Sequence, residues 1–309
     1  MSSAVTSIPQ PGSHVGRIFV IATHAFTQLA RMKVFYFLAI FAVLAIASNF
    51  FDLPQHEGPE SVGANLLHLI KSWSLGAMTL FSVVLSIVAT ALLLPKDVED
   101  RTLYTILAKP VPRFDYLAGK LLGVLLLVFV SLAFMDVLMT VVLQIRTSMV
   151  LSQQQAMAAA MGYTPDAIAS LRAETLANGS NAALQSAVFA VFLRASIMAS
   201  LALLISTFST STLFTTIVSF LVYFIGHFQA DARDFYLHAG QAGESALAHW
   251  AALAVSLVLP DFQLFNVIDA VIEGQAFPLL LLGKLTLIGG YYALFFTLAS
   301  WFIFADKEF

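Results

Sequence analysis

Six long apolar runs divide the chain, at residues 34–51, 74–94, 121–144, 184–206, 212–228 and 278–304. A helix needs about 20 predominantly apolar residues to cross the hydrocarbon core of a bilayer, and these runs are of that order. None alternates apolar and polar residues at a period of two, so the pattern predicts helices rather than barrel strands. Ahead of the first run, Ile18, Ile21, Ala22, Ala25, Phe26 and Leu29 recur at helical spacing within residues 15–30, with Arg17, His24 and Gln28 at other positions. That spacing predicts an amphipathic helix lying at the membrane interface.

Two further segments break the rhythm. Residues 146–183 are polar and rich in Gln and Ala; within them Thr164 is placed to cap a helix that Pro165 begins and Asn178-Gly179 ends. Residues 245–259 are apolar but short, contain His249 and stop at Pro260-Asp261, which suits a re-entrant segment better than a full crossing. The expected fold is therefore one all-α integral membrane domain over residues 1–309. It has an N-terminal interfacial helix, six transmembrane helices and a re-entrant segment before the sixth.

Composition supports the class. Apolar residues make up 59% of the chain and charged residues 11%, against about 25% charged in soluble domains. The net charge of −3 says little, but the placement of Lys and Arg gives an orientation. With the N-terminus inside, Arg17, Arg31, Lys33, Lys96, Arg101, Lys109, Arg113, Lys120 and Lys307 fall on the cytoplasmic side. Lys71, Arg146, Arg172, Arg233 and Lys284 fall on the other, so both termini are expected in the cytoplasm. Cysteine is absent, which removes disulfides, thiol chemistry and cysteine metal sites. Arg31 and Lys33 lead directly into a run long enough to stay in the membrane, so no cleaved signal peptide is expected. No basic stripe suggests nucleic acid.

Catalytic signatures are missing. Gly119-Lys120 and Gly283-Lys284 each resemble the end of a phosphate loop, but Phe114 and Pro278 stand where the earlier glycine belongs, and Leu121 and Leu285 replace the Ser or Thr. Asp234 and His238 could share a helix face, most simply as a solvated pair. No enzyme activity, cofactor or metal is expected of the chain itself. Two charges fall deep in predicted spans, Asp136 and Arg194. Each costs about 2.5–3.5 kcal/mol at a helix centre. Counted from the cytoplasmic ends of their runs, their depths differ by about one turn, so they are expected to pair. The pair either locks neighbouring helices or lines a substrate path. A stand-alone proton-coupled secondary transporter working through Asp136 is the alternative function. Ala195, Ser196, Ala199 and Ser200 suit close helix packing.

The segment 96–120 between the second and third runs carries five of the fifteen Lys and Arg residues, and a basic loop of this kind stays in the cytoplasm. Val98, Leu103, Ile106 and Leu107 gather toward one side of a short helix and Glu99, Asp100 and Arg101 toward the other, before Pro110 and Pro112 turn the chain. An ordinary solvated loop is the plainer alternative. With Glu99, Arg101-Thr102-Leu103, Ile106-Leu107, Lys109-Pro110-Val111-Pro112-Arg113 and Gly119-Lys120, the segment resembles the coupling loop in membrane permeases of ABC exporters of the second type. Arg101 stands where such permeases commonly have Gly. The resemblance implies a coupling helix docked on a separate ATPase subunit, which would hold ATP and Mg. Glu99, Asp100, Arg101, Thr102 and Leu103 would meet that subunit, and Pro110 and Arg113 would shape the return to the membrane. It also implies a second permease copy or paralogue, surrounding lipid, and a bacterial cytoplasmic membrane.

Overall fold

The computed structural model describes residues 13–47, 62–99, 112–209, 211–229, 258–272 and 278–305. It is all-helical, 90% helix, with no strand among these residues. In chain order the helices are α1 (His14–Ala30), α2 (Lys33–Ala47), α3 (Val62–Glu99), α4 (Arg113–Ala160), α5 (Pro165–Ala177), α6 (Ala182–Phe208), α7 (Thr212–His227), α8 (Ile268–Ile272) and α9 (Leu279–Ala305). A short 3₁₀ turn, Gln263–Phe265, precedes α8. Of the expected coupling segment, Asp100, Arg101, Thr102, Leu103 and Pro110 lie outside the described residues, as do most of 245–259 and the Asp234/His238 pair.

Four helices are long and apolar enough to cross a membrane, spanning Asn65–Leu93, Arg113–Ala160, Ala183–Phe208 and Leu280–Ala305. Their exterior is apolar too. Leu80, Phe134, Val137, Leu280, Leu287 and Phe302 are each more than half exposed, a surface suited to hydrocarbon. Many hydroxyls within the bundle bond back to their own helices, as Thr79 Oγ1 does to Leu75 O and Ser300 Oγ to Phe296 O. Their polarity is thereby satisfied without water.

Helix ends follow local chemistry. Thr164 Oγ1 accepts from Ala167 N, Asn181 Oδ1 from Leu184 N and Ser211 Oγ from Phe214 N, each satisfying an orphan donor of a first turn. The helix beginning at Pro165 and ending before Asn178 is the one expected from sequence. What precedes it is not the expected loop. Polarity after Gln144 ends the apolar run, but Arg, Leu, Gln, Ala and Met are good helix formers, so α4 continues to Ala160 and reaches 48 residues. It stops at Gly162, whose φ of +75° lets Tyr163 N bond to Ala158 O and Gly162 N to Ala159 O. Likewise α3 starts at Val62, ahead of its apolar run, and takes Lys71 inside as a fully buried residue rather than a surface cation.

α1 packs closely on α4. Arg17 meets Asp115 at a separation of 98 residues in sequence, and Ile21 meets Gly119 and Ala25 meets Gly123 at the same offset. A constant offset means the two helices run parallel, side by side. A Cβ on Gly119 would lie 2.7 Å from Ile21 Cβ, and one on Gly123 2.7 Å from Ala22 O. Gly119 and Gly123 are thus a Gly-x-x-x-Gly face that lets the backbones touch. Gly123→Leu should lower thermal stability in detergent by about 1–3 kcal/mol, as overpacking does. Gly290→Ala, at a position with nothing within 4 Å of the new Cβ, should be neutral or slightly stabilising; equal losses from both would refute the close-approach account.

Candidate functional site

The first two turns of α4, which follow directly on the 96–112 segment, join both ends of the chain. Asp115 is 2% exposed and its carboxylate accepts from Arg17 Nε at 3.0 Å and lies 3.0 Å from His14 Nδ1. An anion in a helix's first turn is also favoured by the helix dipole, and here Pro112 offers no side-chain cap. On the other side, Arg113 Nη1 donates to Phe304 O at 2.9 Å and to Ala305 O. These are terminal carbonyls of α9, which lack partners within their own helix. Tyr116 stacks on Phe304 and Phe114 meets Trp301 edge-on, both at 6.1 Å. Lys120 sits 5.7 Å above the Tyr116 ring. The root of α4 is therefore bonded to α1 by an ion pair and close packing, and to α9 by a cationic cap and two ring contacts.

A second polar cluster lies inside the bundle. α7 has 16 residues and is about 24 Å long, short of the roughly 30 Å hydrocarbon core. Its last carbonyls are met by the irregular segment before α8. Phe262 N donates to Gly226 O at 3.1 Å and Gln263 Nε2 to His227 O at 2.8 Å. Arg194, 3% exposed on α6, donates from Nη2 to Phe262 O at 3.1 Å, and the Tyr223 ring lies 5.4 Å from the Phe262 ring. Gly226 admits the Phe262 ring, since a Cβ there would lie 2.6 Å from it. Protein groups thus satisfy the irregular backbone inside the bundle.

The expected Asp136–Arg194 pair does not form. Asp136 Oδ1 accepts from Gln185 Nε2 at 3.1 Å. The Phe129–Phe192 ring contact follows the same antiparallel register between α4 and α6. Arg194 is then level with Leu127, about 13 Å along the axis from Gln185. That gap is too wide for a guanidinium to bridge. The error came from aligning the cytoplasmic ends of two apolar runs, when side-chain contacts set the register.

Other expected site residues are placed as follows. Glu99 is the last residue of α3, and Arg113 turns from the loop toward α9. Asp115, Tyr223 and Phe262 went unnoticed in the sequence. The signal for Gly119 and Gly123 was present in their spacing of four. Among the described residues no three His, Asp or Glu side chains gather as a metal site. Neither the family models nor the curated proteins include a match to the chain.

If Asp136 and Arg194 are independent, the stability losses of Asp136→Asn and Arg194→Gln should add to within about 0.5 kcal/mol in a double-mutant cycle. Asp136→Asn combined with Gln185→Ala should deviate from additivity by more than that. Thermal unfolding of the purified protein reads both, and strong coupling of Asp136 to Arg194 would contradict the register.

Proposed function

We propose that the chain is the membrane-spanning permease subunit of an ATP-driven ABC exporter of the second type. The supporting observation is the stiff root of α4. A loop that receives a push needs a rigid attachment, and the turn after residues 96–112 is tied to α1 through Asp115 and to α9 through Arg113. In this reading α2, α3, α4, α6, α7 and α9 are six spans and α1 rides at the inner interface. Residues 96–112 carry the coupling helix, and both termini are cytoplasmic at a bacterial inner membrane. The segment before α9 is re-entrant, a reading supported by Phe262, which reaches the level of Arg194 deep in α6.

Closure of ATPase subunits, which hold ATP and Mg, drives the loop toward the membrane. Arg113 and Asp115 pass the displacement to α9 and α1, and the bundle rocks against a second permease copy or paralogue to open a path outward. This chain performs no hydrolysis.

Charge reversal at the loop, Glu99→Arg with Arg101→Glu, should lower substrate-stimulated ATPase of the copurified complex by about fivefold or more, the lower range of coupling free energies. Insertion into the membrane should be unchanged. Arg113→Ala should reduce stimulation while leaving the ATPase subunit bound, because the loop remains and only its tie to α9 is cut. Full stimulation and transport in both variants, or purification without any ATPase, would overturn the assignment.

A further inference from the structure

The junction of α1 and α2 places two exposed cations, Arg31 and Lys33, on either side of Met32. Met32 lines a crevice with Leu127 of α4 and Ala89 of α3. Ala89 lies about 15 Å along α3 from its end at Glu99, a depth from which long basic side chains still reach headgroups by snorkelling. From Lys33 an exposed stripe climbs one face of α2 through Tyr36, Ile40 and Leu44, which are 56%, 61% and 62% exposed. Its length is about 16 Å, close to the roughly 15 Å of a single leaflet's hydrocarbon. The stripe ends beside an open apolar groove of about 310 Å³ between α2 and α3, lined by Ala45, Leu69, Trp73, Gly76 and Leu80. Gly76 leaves the floor open, with nothing within 4 Å of where its Cβ would stand.

We infer that this surface binds an anionic lipid, with the headgroup phosphate on Arg31 and Lys33 and an acyl chain along α2 into the groove beside Trp73. Cation, apolar track and groove follow in the order of a lipid's own polarity. α7 offers the contrast: it exposes Leu213, Phe214, Ile217 and Phe224 and contains no Lys or Arg. A second copy is the poorer occupant, because a twofold contact through this patch would gather both copies' Arg31 and Lys33, four like charges, into one interface. The inference does not depend on the exporter reading, since a chain without an ATPase partner would bind the same lipid.

The test uses Trp73 as the reporter. With Trp250→Phe and Trp301→Phe in the full chain, only Trp73 of the three tryptophans remains. The protein is reconstituted into phosphatidylcholine vesicles containing tail-brominated phosphatidylglycerol, or tail-brominated phosphatidylcholine as the comparison. Quenching should report a preference for phosphatidylglycerol of about fivefold or more, the effect of roughly one basic contact at a membrane surface. R31Q with K33Q should reduce the preference to about one, R31K with K33R should keep it, and Gly76→Leu should weaken quenching by both lipids. Unchanged thermal melting shows that each variant folds. A preference near one in the starting protein, or one indifferent to R31Q with K33Q, overturns the inference. So does efficient disulfide formation between Gly76→Cys chains in the membrane, which would give the groove to a second copy.

Discussion

Backbone carbonyls at helix ends and irregular turns accept further donors, and two arginines of this chain supply them. Arg113 serves the end of α9, at Phe304 O and Ala305 O, and Arg194 serves the irregular segment beside α7, at Phe262 O. A helix ending leaves about four carbonyls without intrahelical partners, and each unsatisfied group costs several kcal/mol in hydrocarbon. A guanidinium suits the task, because its fixed fork of donors remains charged and can serve two acceptors at once. The bundle can therefore contain a short helix and a broken segment without exposing bare backbone to lipid.

The same constraint ties the irregular parts to the regular ones. Phe262 is held by Gly226 O through its amide, by Arg194 through its carbonyl and by the space at Gly226 through its ring. Moving that segment would break all three contacts together, so it shifts as a unit or not at all. At the root of α4 the logic is similar but the chemistry differs. There one buried carboxylate, Asp115, gathers His14 and Arg17, while glycines at 119 and 123 bring α1 within backbone contact. Electrostatics fixes the start of α1 and shape fixes the rest.

Much of the helical layout was legible from sequence, for reasons visible in particular residues. Apolar runs located α2, α6, α7 and α9, and Thr164, Pro165 and Asn178 bracketed α5, since caps and turn residues act locally. The extension of α4 past Gln144 was not legible from hydropathy, because polarity ends a span without ending a helix; Gly162 is what stops it. The site was read less well. Sequence invites pairing Asp136 with Arg194, as opposite charges at similar counted depths, but backbone acceptors such as Phe262 O carry no letter of their own. Register between α4 and α6 depends on contacts such as Phe129 with Phe192, which no count from a run's end supplies.

These features bear on how force could travel through the bundle. α1, α4 and α9 are joined at one end through one ion pair, one double cap and two ring contacts. At the other end of α4, Gln154 Oε1 accepts from Thr175 Oγ1 of α5. A displacement applied next to Arg113 would therefore carry α1 and α9 with α4. Over the 48 residues of α4, about 72 Å, a small rotation at the root becomes a large excursion at the far hairpin. A first helix floating free of α4 would be left out of that movement. The Gly119 and Gly123 face keeps it in.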